Sequence, residues 1–250
     1  MCDDARTPRY ITGFKTSVSM LAISIIIPAY NEEATILQLL REVRAQRVEG
    51  VNFEAIVVDD GSKDRTVALL EANPALYDRL VKQPKNGGKG AAVIAGLKAA
   101  TGQYILFQDA DLEYSPNDYA AMVYPIAAFG AEVVMGSRFA APKYTRVQYF
   151  SHKVGNRLIT LVFNALFNST FTDIYTCYLL YKRDLVSADE LVSFGWEQQA
   201  EILCRVVRRA KVIYEVPISY HGRSYEEGKK IRARHVIPVI GMIFRRRLFN

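Results

Sequence analysis

From residue 21 onward, short apolar runs of strand length alternate with segments whose apolar side chains recur every three or four positions. The first run, residues 23–27, leads through Pro28-Ala29-Tyr30-Asn31 to Ile36, Leu39, Leu40 and Val43. Those four share one face of a helix at 3.6 residues per turn. Asn31 suits the N-cap of that helix, and Glu32 and Glu33 suit its first turn, where the peptide dipoles favour negative charge. Further strands are expected at 53–58, 80–82, 104–108 and 132–135, with helices over 90–100 and 117–129. A parallel crossover needs roughly the length of a helix, so this rhythm implies a mostly parallel sheet covered on both faces. The fold class is α/β. In such sheets ligands bind beyond the carboxyl ends of the strands.

After residue 137 the alternation loosens. A helix is expected over 151–167, a strand at 177–181, a helix over 200–209 and a strand at 212–216. A polar loop over 221–230 and a final helix over 231–248 follow. No linker rich in Pro, Gly or Ser divides the chain. The expected organisation is an N-terminal extension (1–20), one domain (21–231) and a C-terminal basic amphipathic helix (232–250).

Composition narrows the class. Half of the 250 residues are apolar and 23% are charged, enough for a full core, which excludes a disordered or collagen-like chain. Cys2, Cys177 and Cys204 have no metal-ligand spacing and fit a reducing compartment. The net charge of +6 is concentrated in residues 221–250, which hold eight basic and two acidic side chains. A basic tail on a neutral body points to an anionic partner, phosphates or a membrane surface. Without a basic-aromatic module, nucleic acid is not expected. No apolar run approaches the 18–20 or so residues of a span, and residues 1–20 lack the apolar stretch of a signal peptide. Residues 236–244 are apolar and bracketed by Arg232, Arg234 and by Arg245, Arg246, Arg247. Such a helix lies in a membrane interface or docks on the core with a solvated basic end. Both readings stay open here.

The candidate chemistry sits at strand ends. Asp109-Ala110-Asp111 follows an apolar strand, and alternate residues of an extended segment face one way, with Glu113 continuing the series if the segment stays extended. Hard oxygens with open positions suit Mg2+ or Mn2+ that also holds phosphates. Asp59-Asp60-Gly61-Ser62 ends another strand, where a carboxylate can accept from a base or ribose. Asn86-Gly87-Gly88-Lys89-Gly90 precedes a helix, either as an anion cradle or as a tight turn. It matches neither the dinucleotide fingerprint nor the P-loop. Arg138, after Gly136-Ser137, can hold a phosphate with two donors. Arg223 and Lys229 flank the polar loop and could close over a diphosphate. Nothing around His152, Cys177 or Ser62 supports a nucleophilic triad.

Taken in this order and spacing, Ile25-Ile26-Ile27-Pro28-Ala29-Tyr30-Asn31-Glu32-Glu33, Val57-Val58-Asp59-Asp60-Gly61-Ser62, Asn86-Gly87-Gly88-Lys89-Gly90 and Asp109-Ala110-Asp111 resemble the family-2 glycosyltransferases of GT-A fold. Thr172-Asp173, Thr176-Cys177-Tyr178 and the basic loop after Gly222 look like the branch of dolichol-phosphate mannose and glucose synthases and their bacterial polyprenyl-phosphate relatives. The resemblance covers about residues 21–231. It implies a mostly parallel sheet with a C-terminal helical elaboration. It also implies metal-dependent, inverting transfer of a hexose from a nucleotide sugar (GDP-mannose or UDP-glucose) to a polyprenyl phosphate. Carried over by position, Pro28, Ala29, Tyr30, Glu32, Val58 and Asp60 would hold the nucleoside. Asp109, Asp111 and Glu113 would bind Mg2+ or Mn2+, with the Ala110 backbone near the donor. Arg138 would meet the acceptor phosphate, and Arg223 and Lys229 the donor diphosphate. The chain departs from the family at Tyr175 and Leu179, where an acidic residue and a lysine are common, and at Gln198-Gln199-Ala200-Glu201.

An ionised phosphate acceptor needs no strong general base. A hydroxyl acceptor, on a saccharide or lipid, would need one, with Asp173 and Glu201 as candidates. A non-catalytic nucleotide-sugar binder is the third reading. The expected location is peripheral, on the cytoplasmic face of a membrane with an anionic surface.

Overall fold

The computed structural model describes residues 20–141, 146, 150–222 and 236–249. Its seven strands are β1 (Leu21–Ala29), β2 (Val51–Asp59), β3 (Arg79–Lys82), β4 (Tyr104–Phe107), β5 (Val133–Ser137), β6 (Leu179–Lys182) and β7 (Ile213–Pro217). They form one sheet in the order β3-β2-β1-β4-β6-β5-β7. Only β6 runs against its neighbours β4 and β5, and the other pairs are parallel. The helices are α1 (Ile36–Ala45), α2 (Thr66–Glu71), α3 (Lys89–Ala99), α4 (Tyr119–Phe129), α5 (Phe150–Phe167), α6 (Gln198–Arg209) and α7 (Val236–Leu248).

The expected mostly parallel α/β sheet is therefore present. β1 is buried on both faces, and its one polar residue, Ser24, is satisfied by Glu54 and by the Gly102 amide. A fully sequestered hydroxyl costs little when bonded in this way. α1 buries Ile36, Leu39, Leu40 and Val43, the four side chains whose spacing announced it. α3 lies directly on β1 and β2, because a Cβ at Gly96 would come within 2.5 Å of Ile26.

Local boundaries depart from expectation in two places, at the starts of α1 and β6. α1 begins at Ile36, not after Asn31, so Glu32 and Glu33 precede the helix. Asn31 has a left-handed φ of 53° and fastens two loops: its amide donates to Ser62 Oγ, and its Oδ1 accepts from the Lys63 amide. Asparagine tolerates that conformation and uses its side chain locally, which competes with capping. The strand expected at 177–181 starts at Leu179, leaving Cys177 at the site. The last helix is described from Val236, and residues 231–235 lie outside the described part.

α7 packs against α5 and α6, with Val239 and Ile243 fully buried. Its other side leaves Ile237, Phe244 and Leu248 exposed, as α5 leaves Leu158 and Leu161. Among the described residues no helix is long and apolar enough to cross a membrane.

Candidate active site

Because β1, β2 and β4 run parallel, their carboxyl ends open on one edge, and a cavity of about 320 Å³ lies there. Pro28, Ala29, Tyr30, Glu32, Asp60 and Asp109-Ala110-Asp111 all line it. Glu113, Arg138, Tyr175, Cys177, Trp196 and Tyr220 close the opposite side.

On the β2 side, the Asp60 carboxylate accepts from the Gly87 and Gly88 amides, each at 2.9 Å. Burial pushes its pKa up while these two donors pull it down, and burial prevails. The Gly90 amide donates to Phe194 O at 2.9 Å. The glycine-rich segment is thus a tight turn whose Gly87, Gly88 and Gly90 amides are spent inside the protein. Gly88 takes a left-handed φ of 90°, and a Cβ at Gly90 would lie 2.4 Å from Ser193 O. Neither position accepts a side chain without moving backbone.

At the rim Lys89 Nζ meets Asp109 Oδ1 at 2.5 Å and lies 5.7 Å from the Trp196 ring centre. Burial opposes the ammonium charge, but Asp109 outweighs it and raises the Lys89 pKa. Asp111 accepts from the Glu113 amide across a turn in which Leu112 has φ 62°. That turn ends the extended series. Glu113 is held by the Tyr220 hydroxyl at 2.8 Å, and among the described residues no three Asp, Glu, His or Cys side chains converge as a metal site. The expected three-carboxylate set is therefore not assembled. Asp109 and Asp111 remain at the cavity, and their hard oxygens, with a cation already drawn to Asp109, suit a divalent ion.

The rim is braced by Gln108, which sequence reading missed. Its Oε1 accepts from Tyr119 and Tyr178, and its Nε2 donates to the carbonyls of Asp109 and Tyr114. A fully buried amide with partners on both ends fixes the turn that carries Asp109. Its only sequence signal is a glutamine at the end of an apolar strand.

Opposite lies Arg138. Its Nε and Nη2 hold the two Asp173 oxygens at 2.7 and 2.9 Å, Nη2 also donates to Tyr175 O, and the guanidinium lies over the Tyr220 ring. Burial works against its charge, yet Asp173 raises its pKa. Nη1 has no hydrogen-bond partner among the described residues. Beside it, burial lifts the Cys177 thiol well above its usual value and the Tyr175 phenol to about 12, so both stay neutral.

Several expected residues are placed elsewhere. Val58 is a core side chain against α3 and does not line the cavity. Asp173 and Glu201, the two candidate bases, are both 0% exposed and outside the cavity lining. Each is bound to arginine. Arg223 and Lys229 lie outside the described residues. Trp196 is the other residue missed, signalled only by a lone tryptophan after Gly195 and before a helix.

A seven-stranded, mostly parallel sheet with two aspartates at the end of its central strand defines the GT-A class of fold. Glucosyl-3-phosphoglycerate synthase from Mycobacterium tuberculosis, solved with Mn2+, uridine-diphosphate and phosphoglyceric acid, superposes with a TM-score of 0.67 at 21% identity, covering 92% of this chain and 80% of that one. The chain belongs to glycosyl transferase family 2, whose model matches residues 24–188. It is similar to the low-salt glycan biosynthesis hexosyltransferase Agl6 of Haloferax volcanii, 28% identical over 205 residues, covering 82% of this chain and 49% of that protein. It is also similar to a dolichol-phosphate mannosyltransferase of Pyrococcus furiosus, 26% identical over 228 residues, covering 90% of this chain and 63% of that protein. An uncharacterised protein of Methanocaldococcus jannaschii, MJ0544, is 30% identical over 232 residues, covering 86% of this chain and 97% of that one. The chain thus spans about half the length of the first of these relatives and under two thirds of the second.

Proposed function

We propose that this chain transfers a hexose from a nucleotide sugar, UDP-glucose or GDP-mannose, to a polyprenyl phosphate with inversion at the anomeric carbon. One observation carries the choice of acceptor. Asp173 and Glu201, the two carboxylates expected as bases for a hydroxyl acceptor, lie outside the cavity lining, buried and paired with arginine. An acceptor phosphate is already an anion at neutral pH and needs neither. The name of the P. furiosus relative supports a polyprenyl-phosphate acceptor, and that of the H. volcanii relative supports transfer of a hexose.

In this reading Pro28, Ala29, Tyr30 and Glu32 seat the nucleoside, while Asp60 holds the glycine turn beside it. Asp109 and Asp111 would hold Mg2+ or Mn2+, which supplies Lewis-acid stabilisation of the departing diphosphate. The M. tuberculosis synthase was crystallised with Mn2+ and, separately, with Mg2+. Lys89 can leave Asp109 for the diphosphate, because an ammonium on a flexible stem changes partners readily. Arg138 presents Nη1 to the acceptor phosphate, with Asp173 fixing the plane of its guanidinium. Arg223 and Lys229 are assigned to the diphosphate, and Glu113 to the metal surroundings, on the family resemblance alone. An acceptor-phosphate oxygen bonds to the anomeric carbon as the bond to the diphosphate breaks, and the electron pair departs with the nucleoside diphosphate.

A polyprenyl tail stays in a bilayer, so the site must reach a membrane surface. In this reading the exposed apolar residues of α5 and α7 would supply insertion and Arg245 and Arg247 surface charge, in keeping with a peripheral position at the cytoplasmic face. Arg246 contributes no surface charge, being buried against Glu201.

The test is a radiolabelled-donor assay offering short polyprenyl phosphates or free saccharides. Label in the lipid phosphate alone is expected, and label in the saccharide would reject the reading. A thermal-shift panel of UDP- and GDP-sugars with Mn2+ identifies the donor, since a ligand that binds only the native state raises its melting temperature.

A further inference from the structure

The segment 192–196 carries Trp196 to the cavity and presses on the glycine turn. Its Val192 and Ser193 amides donate to Glu201 Oε2 at 3.1 and 2.9 Å. Glu201 Oε1 accepts from Arg205 on its own helix and from Arg246 on α7, 45 residues away in sequence. Arg208 of α6 donates to Arg246 O, so side chain and backbone of α7 are both tied to α6.

We propose that Glu201 and Arg246 are positioning residues for the donor pocket, through which α7 sets the place of the 192–196 segment and of Trp196. Two physical features make the linkage stiff. One carboxylate joins two backbone amides to two guanidinium groups, so removing Arg246 weakens the hold on both amides. On the far side the segment meets the backbone of the glycine turn. Phe194 O accepts from Gly90, and Ser193 O sits where a Gly90 Cβ would be. A shift of this segment therefore passes into the start of α3, where Lys89 lies between Asp109 and Trp196. Burial would raise the Glu201 pKa, but the Ser193 and Val192 hydrogen bonds and Arg246 lower it, so the charge that makes the link is kept. Glu201 thereby acts as a strut between α7 and the 192–196 segment.

Trp196 is the only tryptophan in the chain, so its fluorescence reads this segment without a label. We would compare wild type with Arg246→Gln, Arg246→Lys and Glu201→Gln, using Arg41→Gln on the exposed side of α1 as control. Measurements are Trp196 emission, acrylamide quenching, and the dissociation constants of UDP and GDP with Mn2+, on protein shown folded by circular dichroism. Arg246→Gln should redden the emission, increase quenching and weaken nucleotide binding roughly tenfold, within the range for residues acting through a packed network. Arg246→Lys should restore part of each change, and the control should match wild type. Folded Arg246→Gln and Glu201→Gln with wild-type emission, quenching and affinity would overturn the proposal. If Arg246→Gln does not fold, Arg246→Lys against wild type decides it in the same way. The inference borrows the donor-site reading only for the nucleotide arm. Should wild type bind neither nucleotide, that reading fails while the Trp196 measurements still decide the linkage.

Discussion

Two ion pairs face each other across the cavity, and they are built differently. Lys89–Asp109 is a single contact between side chains 23% and 22% exposed. Arg138–Asp173 is a two-pronged pair with side chains 10% and 0% exposed, further braced by Tyr175 O and the Tyr220 ring. An ammonium can turn to a new partner, whereas a buried, bidentate guanidinium is held in one orientation. Under the proposed function, the Lys89 side would exchange charges as a diphosphate arrives and leaves, and the Arg138 side would keep one fixed cation for the acceptor. That division suits a reaction in which negative charge grows on one substrate and is already complete on the other.

The comparison can be broken at its donor side first. Asp111→Asn should lower metal-dependent turnover by about 10²–10³-fold, measured at saturating donor, with the melting temperature near that of wild type. Near-wild-type turnover would remove Asp111 from the metal role. On the acceptor side the same kind of change should cost folding. Asp173→Asn leaves the Arg138 charge buried without its partner, so a loss of about 3–5 kcal/mol in urea unfolding is expected. A stability loss no larger than that of Asp109→Asn would show that the two pairs do not differ as described.

The contrast was half legible in the sequence. The donor side was the readable half, because in a strand buried on both faces the apolar run stops where the site starts. Asp60 and Asp109 follow β2 and β4 for that reason. The acceptor side was not readable as a pair, since Arg138 and Asp173 lie 35 residues apart and meet only through the fold. Gln108 and Glu201 were opaque for the same reason, their partners coming from distant segments. Local chemistry misled at Asn31, where a left-handed turn took the place of a helix cap, and at Leu112, where another turned Glu113 toward Tyr220.

Sharper and smaller is the effect expected at Lys89. If its ammonium competes for Asp109, Lys89→Met should tighten Mn2+ binding by nucleotide-free protein and weaken UDP or GDP binding, each by roughly tenfold. Manganese resonance titration with and without nucleotide reads both, and unchanged Mn2+ affinity would show that Lys89 does not share the site.

The smallest effect is on the acid limb of stability. Burial would raise the Glu201 pKa, but its Ser193, Val192 and Arg246 contacts bring it below the ordinary glutamate value. Its stabilisation is therefore complete above that ordinary value and is lost as pH falls through the lowered folded value. Glu201→Gln should be less stable at neutral pH yet lose less between neutrality and about pH 3 in urea titrations. A parallel decline in both proteins would assign the acid sensitivity elsewhere.

The claim that the acceptor brings its own negative charge is tested most directly by a matched pair of lipids. With Mn2+ and labelled UDP-glucose or GDP-mannose, a short polyprenyl phosphate and the corresponding polyprenol differ only in the group that Arg138 would hold. The account predicts labelled product from the phosphate and none from the alcohol, and it predicts that Arg138→Gln raises the KM for the phosphate far more than the KM for the donor. Comparable labelling of the alcohol, or an Arg138→Gln enzyme with an unaltered acceptor KM, would contradict it.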